Sequence, residues 1–226
     1  MAPSIFIAIA GGAASGKKTV QAALKSTLLS LHTGSADTLT IETLHQRDFR
    51  HASSSTALDP DSLETYDLDL LATHISCSTS TVVIAEGTYL LTHPGLLSLA
   101  TVKVFVDSDA DVRLARRVLS LPATELQETL KAHVAFGKRN YEAVVAPTKQ
   151  VADIILPDGG GREGETRNGV LLIAGGVMDD IVKVVGARAG LVGRAKSYEG
   201  KEAKEAKGVL CEADLTMGMP TYYETV

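Results

Sequence analysis

Residues Ser4–Thr19 read SIFIAIAGGAASGKKT, and the change of character halfway along this stretch sets the architecture. Ile5 to Ala10 is an unbroken apolar run with β-branched residues at alternate positions, the pattern of a strand buried on both faces of a parallel sheet. It stops at Gly11-Gly12. Gly11 to Lys17 then fits GxxxxGK, a spacing in which small residues let backbone N–H groups approach phosphate oxygens while the lysine reaches the terminal phosphates. Beyond it, Val20, Ala23, Leu24, Leu28 and Leu31 fall near helical spacing, so a helix is predicted with its positive dipole end toward the loop. Strand, glycine loop and helix in succession predict an anion cradle made by Gly12, Ala13, Ala14, Ser15, Gly16, Lys17, Lys18 and Thr19.

Toward the C-terminus, further strands are predicted at Thr38–Leu44, Thr81–Ala85, Val102–Val106 and Val151–Leu156. Helices are predicted at Ser62–Ile75, Ala110–Leu119, Thr124–Val144 and Asn168–Val185. The last is weakened by Gly169, Gly175 and Gly176, since a glycine inside a helix costs about 1 kcal/mol. Strands separated by helices give an α/β fold, a P-loop NTPase-like parallel sheet of about five strands flanked by helices. Asp158–Thr166 is glycine-rich and charged and reads as a mobile loop. The domain is expected over residues 1–187, with a loosely ordered tail at 188–226 that includes the solvated run Lys196–Lys207.

A chain of 226 residues with 45% hydrophobic content is long enough for a substantial core. Its net charge of −5 provides no basic field for a polyanion, which argues against nucleic acid or an anionic membrane as partner and leaves a local phosphate site open. The two cysteines, Cys77 and Cys211, match no zinc or redox spacing. No Lys or Arg precedes the N-terminal apolar run, and no apolar stretch reaches the ~20 residues of a membrane span, so a cytoplasmic location is expected. The six histidines show no metal-binding pairing and read as surface or loop residues.

The position after Lys17 holds a departure. A Ser or Thr hydroxyl there helps to hold nucleotide-bound magnesium, whereas this chain has Lys18, whose ammonium cannot ligate a cation. Thr19 offers a hydroxyl one residue later, but one step along a helix turns the side chain by about 100°.

The glycine loop, Val83–Leu90 (VIAEGTYL), Val104–Leu119 (VFVDSDADVRLARRVL) and Ala146–Pro157 (APTKQVADIILP) together resemble the uridine-cytidine kinase family of P-loop kinases, over roughly Pro3 to Ile181. The resemblance implies transfer of the γ-phosphoryl group of ATP to the 5′ hydroxyl of a pyrimidine ribonucleoside under a mobile lid. It places Lys17 at the terminal phosphates and Glu86 near Mg2+, although Glu86 also reads as an ordinary strand-end turn. Magnesium is implied as the companion of ATP, with Lys18 standing against it. In the family Asp-Ser-Phe-Tyr follows the second strand; here the segment is Gln46-Arg47-Asp48-Phe49-Arg50, and alignment on the phenylalanine puts Arg47 where the catalytic aspartate belongs. Asp48 is then either a displaced catalytic base or a loop-forming residue. Asp61 and Tyr66 correspond to the substrate segment, and Arg113 and Arg117 to phosphate-binding arginines of the lid.

The hairpin of the family's nucleoside pocket is missing, because only Ser76–Ser80 separates helix from strand. The later lid arginines are replaced by Ser120-Leu121-Pro122-Ala123-Thr124, and Lys138 and Arg139 read as a solvated face. The expected partners are a nucleotide and a nucleoside-like small molecule, with a homo-oligomer left open. Two functions fit: a kinase of weak or altered activity, and a catalytically impaired nucleotide-binding pseudokinase serving as a regulatory or assembly subunit.

Overall fold

The structure is a computed structural model that describes residues 5–32, 39–51, 59, 62–157 and 163–188. Asp61 and the tail beyond residue 188 lie outside the described residues. The chain divides into two compact units, Met1–Val185 and Gly186–Val226, and the first contains the whole sheet and the glycine loop.

Five strands form one sheet in the order β2-β3-β1-β4-β5: β1 (Ile5–Gly11), β2 (Ile41–His45), β3 (Val82–Glu86), β4 (Val102–Asp107) and β5 (Ile154–Pro157). All pairings are parallel. The apolar run that opens the chain occupies the centre, and each of its seven residues is buried. Its alternate side chains divide between two layers. Ile5, Ile7 and Ile9 pack with Val20, Leu24 and Leu28 of α1 (Lys17–Leu31) and with Val170, Ile173, Val177 and Ile181 of a long C-terminal helix. Phe6, Ala8 and Ala10 face Leu68, Leu71 and Ile75 of α2 (Leu68–Cys77), and Leu96 of α3 (Pro94–Leu99). The central strand is covered on both sides, which is why it reads as continuous hydrophobicity.

The turn between α2 and β3 is secured by Glu42 on the edge strand β2. Its carboxylate accepts hydrogen bonds from the Ser78 and Ser80 hydroxyls and meets Nε2 of His74. The Ser78 hydroxyl above all holds the Glu42 carboxyl below its ordinary value of 4.5, against burial, which pushes it up.

After β4, α4 (Ala110–Leu119) is followed by a helical rod. The rod comprises α5 (Ala123–Ala132), a π turn (His133–Gly137), α6 (Lys138–Asn140), a second π turn (Tyr141–Val145) and a 3-10 turn (Ala146–Val151). Lys138 and Arg139 are exposed on it, as the sequence suggested.

The last described helix, α7 (Glu163–Arg188), corrects the reading of 158–166 as loop over its described part, since helix begins at Glu163. Its buried stripe explains the difference: Thr166, Val170, Ile173, Ala174, Val177 and Ile181 follow one another at helical spacing against the sheet. That packing offsets the cost of Gly175 and Gly176, which are exposed with nothing near the place of a Cβ.

Candidate functional site

The parallel register brings several strand ends to one edge. Glu86, the last residue of β3, is paired with Ile9 of β1 and with His45, the last residue of β2. Gln21 of α1, itself buried, donates from Nε2 to the carbonyls of Leu44 (3.0 Å) and Ile84 (2.8 Å), fixing both strand ends beneath the loop. In parallel sheets this crevice, where the strand order reverses, is where ligands are received.

At the end of β1 the chain turns sharply. Gly11 has φ of 148°, and a Cβ there would overlap the Val106 carbonyl oxygen, so only glycine fits. Ala14 at φ 59° and Gly16 at φ 94° complete a left-handed turn into α1; alanine in that region carries strain of the kind concentrated at ligand loops. Ser15 N–H donates back to Gly12 O at 3.2 Å, and Val20 N–H reaches Gly16 O at 3.0 Å. The first N–H groups of a helix as a class have no carbonyl one turn back to meet. Lys17 is buried, and its Nζ donates to Gly12 O at 2.7 Å, so the ammonium lies across the mouth of its own loop. The Ser15 hydroxyl is buried without a hydrogen-bond partner. A loop of open amides, a buried ammonium and an orphaned hydroxyl fits a polyphosphate. Lys18 and Thr19 are both exposed.

Two clefts meet at Thr88. The first, about 340 Å3 of space open to solvent, is lined by Lys17, Gln46, Arg47, Tyr66, Glu86, Gly87 and Thr88. Glu86 is buried, and its Oε1 is 2.9 Å from Nδ1 of His45. Gln46 lies against Gly87 and accepts at Oε1 from the Tyr89 N–H at 2.8 Å. Tyr66 lines the same cleft, its ring 6.0 Å from that of Tyr89. Asp48 is not among the lining residues; its carboxylate is 3.7 Å from Nε of Arg47, and the two side chains are 60% and 62% exposed. The second cleft is narrow and is lined by Ala13, Thr88, Tyr89, Arg113, Arg117, Gly137, Asn140, Tyr141 and Val145. Arg113 is buried there. Its Nε donates to the Ser108 carbonyl at 3.0 Å, and its guanidinium carbon lies 3.8 Å from the centre of the Tyr141 ring, a cation–π contact.

The structure thus brings Lys17, Glu86 and Tyr66 into one cleft and Ala13, Arg113 and Arg117 into the other, and leaves Asp48 at the rim of the first. His45 corrects the reading of every histidine as a bystander, because strand register ties it to Glu86. Gln46 and Tyr141 also went unread; the first acts through the β3 turn and the second through the π turn that aims it, neither of which leaves a spacing signature.

A family model described as the phosphoribulokinase / uridine kinase family matches residues 62–163. Uridine kinase-like protein 5 of Arabidopsis thaliana is 32% identical over 184 residues, covering 68% of this chain and 39% of the relative. The uridine kinase of Geobacillus sp. (strain WCH70) is 29% identical over 192 residues, covering 69% of this chain and 87% of the relative. This chain therefore spans about two fifths of the plant relative's length and most of the bacterial one. Among solved structures, shikimate kinase from Bacteroides thetaiotaomicron aligns with a TM-score of 0.46 and 15% identity, over 77% of this chain and 98% of that one.

Proposed function

We propose that this chain is a uridine kinase-like P-loop kinase that transfers the γ-phosphoryl group of ATP to a hydroxyl of a nucleoside or similar small acceptor, with weak or altered activity, a reading supported by its similarity to the phosphoribulokinase / uridine kinase family. The observation that carries the reading is the buried Lys17 ammonium across the loop mouth, in the same cleft as Glu86. The acceptor oxygen forms its bond to the γ-phosphorus as the bond to the β-phosphate oxygen breaks; ADP departs and the hydroxyl proton is released. Positioning and charge stabilisation dominate such transfers. Here the loop amides and Lys17 bind the phosphates, Arg113 and Arg117 supply cationic charge from the lid side, and Tyr66 walls the acceptor space.

Glu86 would be the carboxylate that holds Mg2+, which would neutralise charge on the phosphates. Among the described residues no group of three His, Cys, Asp or Glu could hold a metal, and the site suits an ion carried chiefly by phosphates and water beside one carboxylate. Asp48 would act as base only after turning in from the rim.

That displacement, together with the exposed Lys18, favours a second reading: a nucleotide-binding pseudokinase serving as a regulatory or assembly subunit. The test is a screen of nucleosides for ATP-dependent phosphorylation beside thermal melting with ATP. Phosphorylated product supports transfer. Stabilisation by ATP with no product supports the pseudokinase, and the absence of stabilisation removes both readings.

A further inference from the structure

We propose that His45 is a positioning residue for the cation that accompanies the nucleotide: by holding one oxygen of Glu86 it limits that carboxylate to a single ligating oxygen, and so favours a small octahedral ion such as Mg2+ over Ca2+. The inference rests on the phosphoryl-transfer reading and names the residue that sets its metal selectivity. Nδ1 of His45 lies 2.9 Å from Oε1 of Glu86, and against a carboxylate the ring nitrogen is the donor. Oε2 accepts no hydrogen bond from any described residue, and Glu86 lines the cleft beside Lys17. One oxygen is engaged and the other remains for a ligand.

Strand register sets the pair. His45 and Glu86 are Cα partners at the ends of β2 and β3, and Gln21 ties the carbonyls of the neighbouring Leu44 and Ile84. The turns that follow are fixed as well, since the buried Gln46 side chain packs against Gly87 and accepts the Tyr89 N–H. The Glu86 side chain is 7% exposed and that of His45 29%, so the carboxylate has little freedom to swing away from the ring. Ca2+ takes about 6–8 oxygens at about 2.3–2.6 Å and often grips both oxygens of a carboxylate, whereas Mg2+ demands octahedral geometry at about 2.0–2.1 Å and keeps several waters. A carboxylate tied at one oxygen loses the two-oxygen mode that favours Ca2+ and keeps the one-oxygen mode that suits Mg2+. An outer partner of this kind also orients the ligand, and its loss typically costs about 10–100-fold in metal affinity.

The full chain is titrated with the β,γ-imido analogue of ATP in excess Mg2+, in excess Ca2+ and in EDTA, and affinity is read by calorimetry without turnover. The unmutated chain is expected to bind the Mg2+ complex more tightly than the Ca2+ complex. In His45→Ala the ratio of the two affinities should fall about tenfold, because Mg2+ loses an oriented ligand while Ca2+ gains a second oxygen. His45→Asn, whose side-chain amide can donate from near the position of Nδ1, should recover most of the ratio. Should the alanine variant not fold, His45→Leu, apolar and of similar size, carries the same expectation. A ratio unchanged in the variant lacking the donor, including one in which both affinities fall together, overturns the proposal. So does a ratio that His45→Asn leaves as low as the donorless variant does, or an unmutated chain that binds the Ca2+ complex as tightly as the Mg2+ complex. Two further results are separate. Binding in EDTA equal to that in either metal removes the cation and this inference with it, while an analogue that binds under none of the three conditions removes the phosphoryl-transfer reading as well.

Discussion

Substituting Gly12 by alanine tests how the second cleft is held together. Gly12 is not among the residues with positive φ, so its backbone can carry a side chain. The added Cβ would nevertheless overlap the Arg113 guanidinium. To make room, Arg113 must give up the hydrogen bond from Nε to the Ser108 carbonyl at 3.0 Å and its stacking 3.8 Å from the Tyr141 ring centre. A hydrogen bond from a charged donor contributes about 1.5–3 kcal/mol and a cation–π contact about 0.5–2 kcal/mol. Rehydration of the freed guanidinium in the open cleft returns part of this, leaving a loss of about 2 kcal/mol. For a chain of this size that lowers Tm by about 4–8 °C. The assay is a double-mutant cycle in urea: in an Arg113→Ala background the overlap partner is gone, and Gly12→Ala should cost about 0.5 kcal/mol or less. An equal cost in both backgrounds would show that Arg113 does not rest on Gly12, and the described cleft wall would be wrong.

Lys17→Ala is expected to abolish stabilisation by ATP, which at about 100 times the dissociation constant amounts to about 2.7 kcal/mol for a ligand binding only the folded chain; a full thermal shift in the variant counts against the phosphate site. Lys18→Thr should make ATP binding more responsive to Mg2+, read as the ratio of affinities with magnesium and with EDTA, and an unchanged ratio counts against the assignment of that position. Because the Glu42 carboxyl is lowered in the folded state, chiefly by the Ser78 hydroxyl, its stabilising effect is complete above the ordinary value of 4.5 and is lost as pH falls through the lowered one. Urea midpoints should therefore fall less steeply below pH 4.5 in Glu42→Gln than in the unmutated chain, and parallel pH profiles would contradict the pairing.

The sheet was legible because its inner strands β1 and β3 are buried on both faces. The predicted strands at Ile5–Ala10, Thr81–Ala85 and Val102–Val106, rich in β-branched and apolar residues, lie within a residue or so of β1, β3 and β4. The tight turn from β1 into α1 was legible too, since GxxxxGK between a strand and a helix is a local pattern with a local geometry. What stayed hidden depends on relations between distant segments. His45 meets Glu86 only through the β2–β3 register, and Tyr141 reaches Arg113 of α4 from a π turn that shifts the helical phase. Which of Arg47 and Asp48 faces the cleft depends on the direction of a single 3-10 turn, Gln46–Phe49, and composition carries no signal for that. The start of α7 was missed for a different reason: the glycine-rich approach masked a buried stripe that begins at Thr166.

A long, flexible side chain held to a carbonyl of its own loop has surrendered its freedom before any guest arrives. Immobilising a lysine costs up to about 1.5–2 kcal/mol of rotamer entropy, and in this chain the bond from Lys17 Nζ to Gly12 O at 2.7 Å places that loss in the folding equilibrium. A phosphate entering the loop exchanges one oxygen partner for another around a cation that is already in position. Variants that loosen the resting contact should therefore weaken nucleotide binding entropically, with the contacts of the complex unchanged.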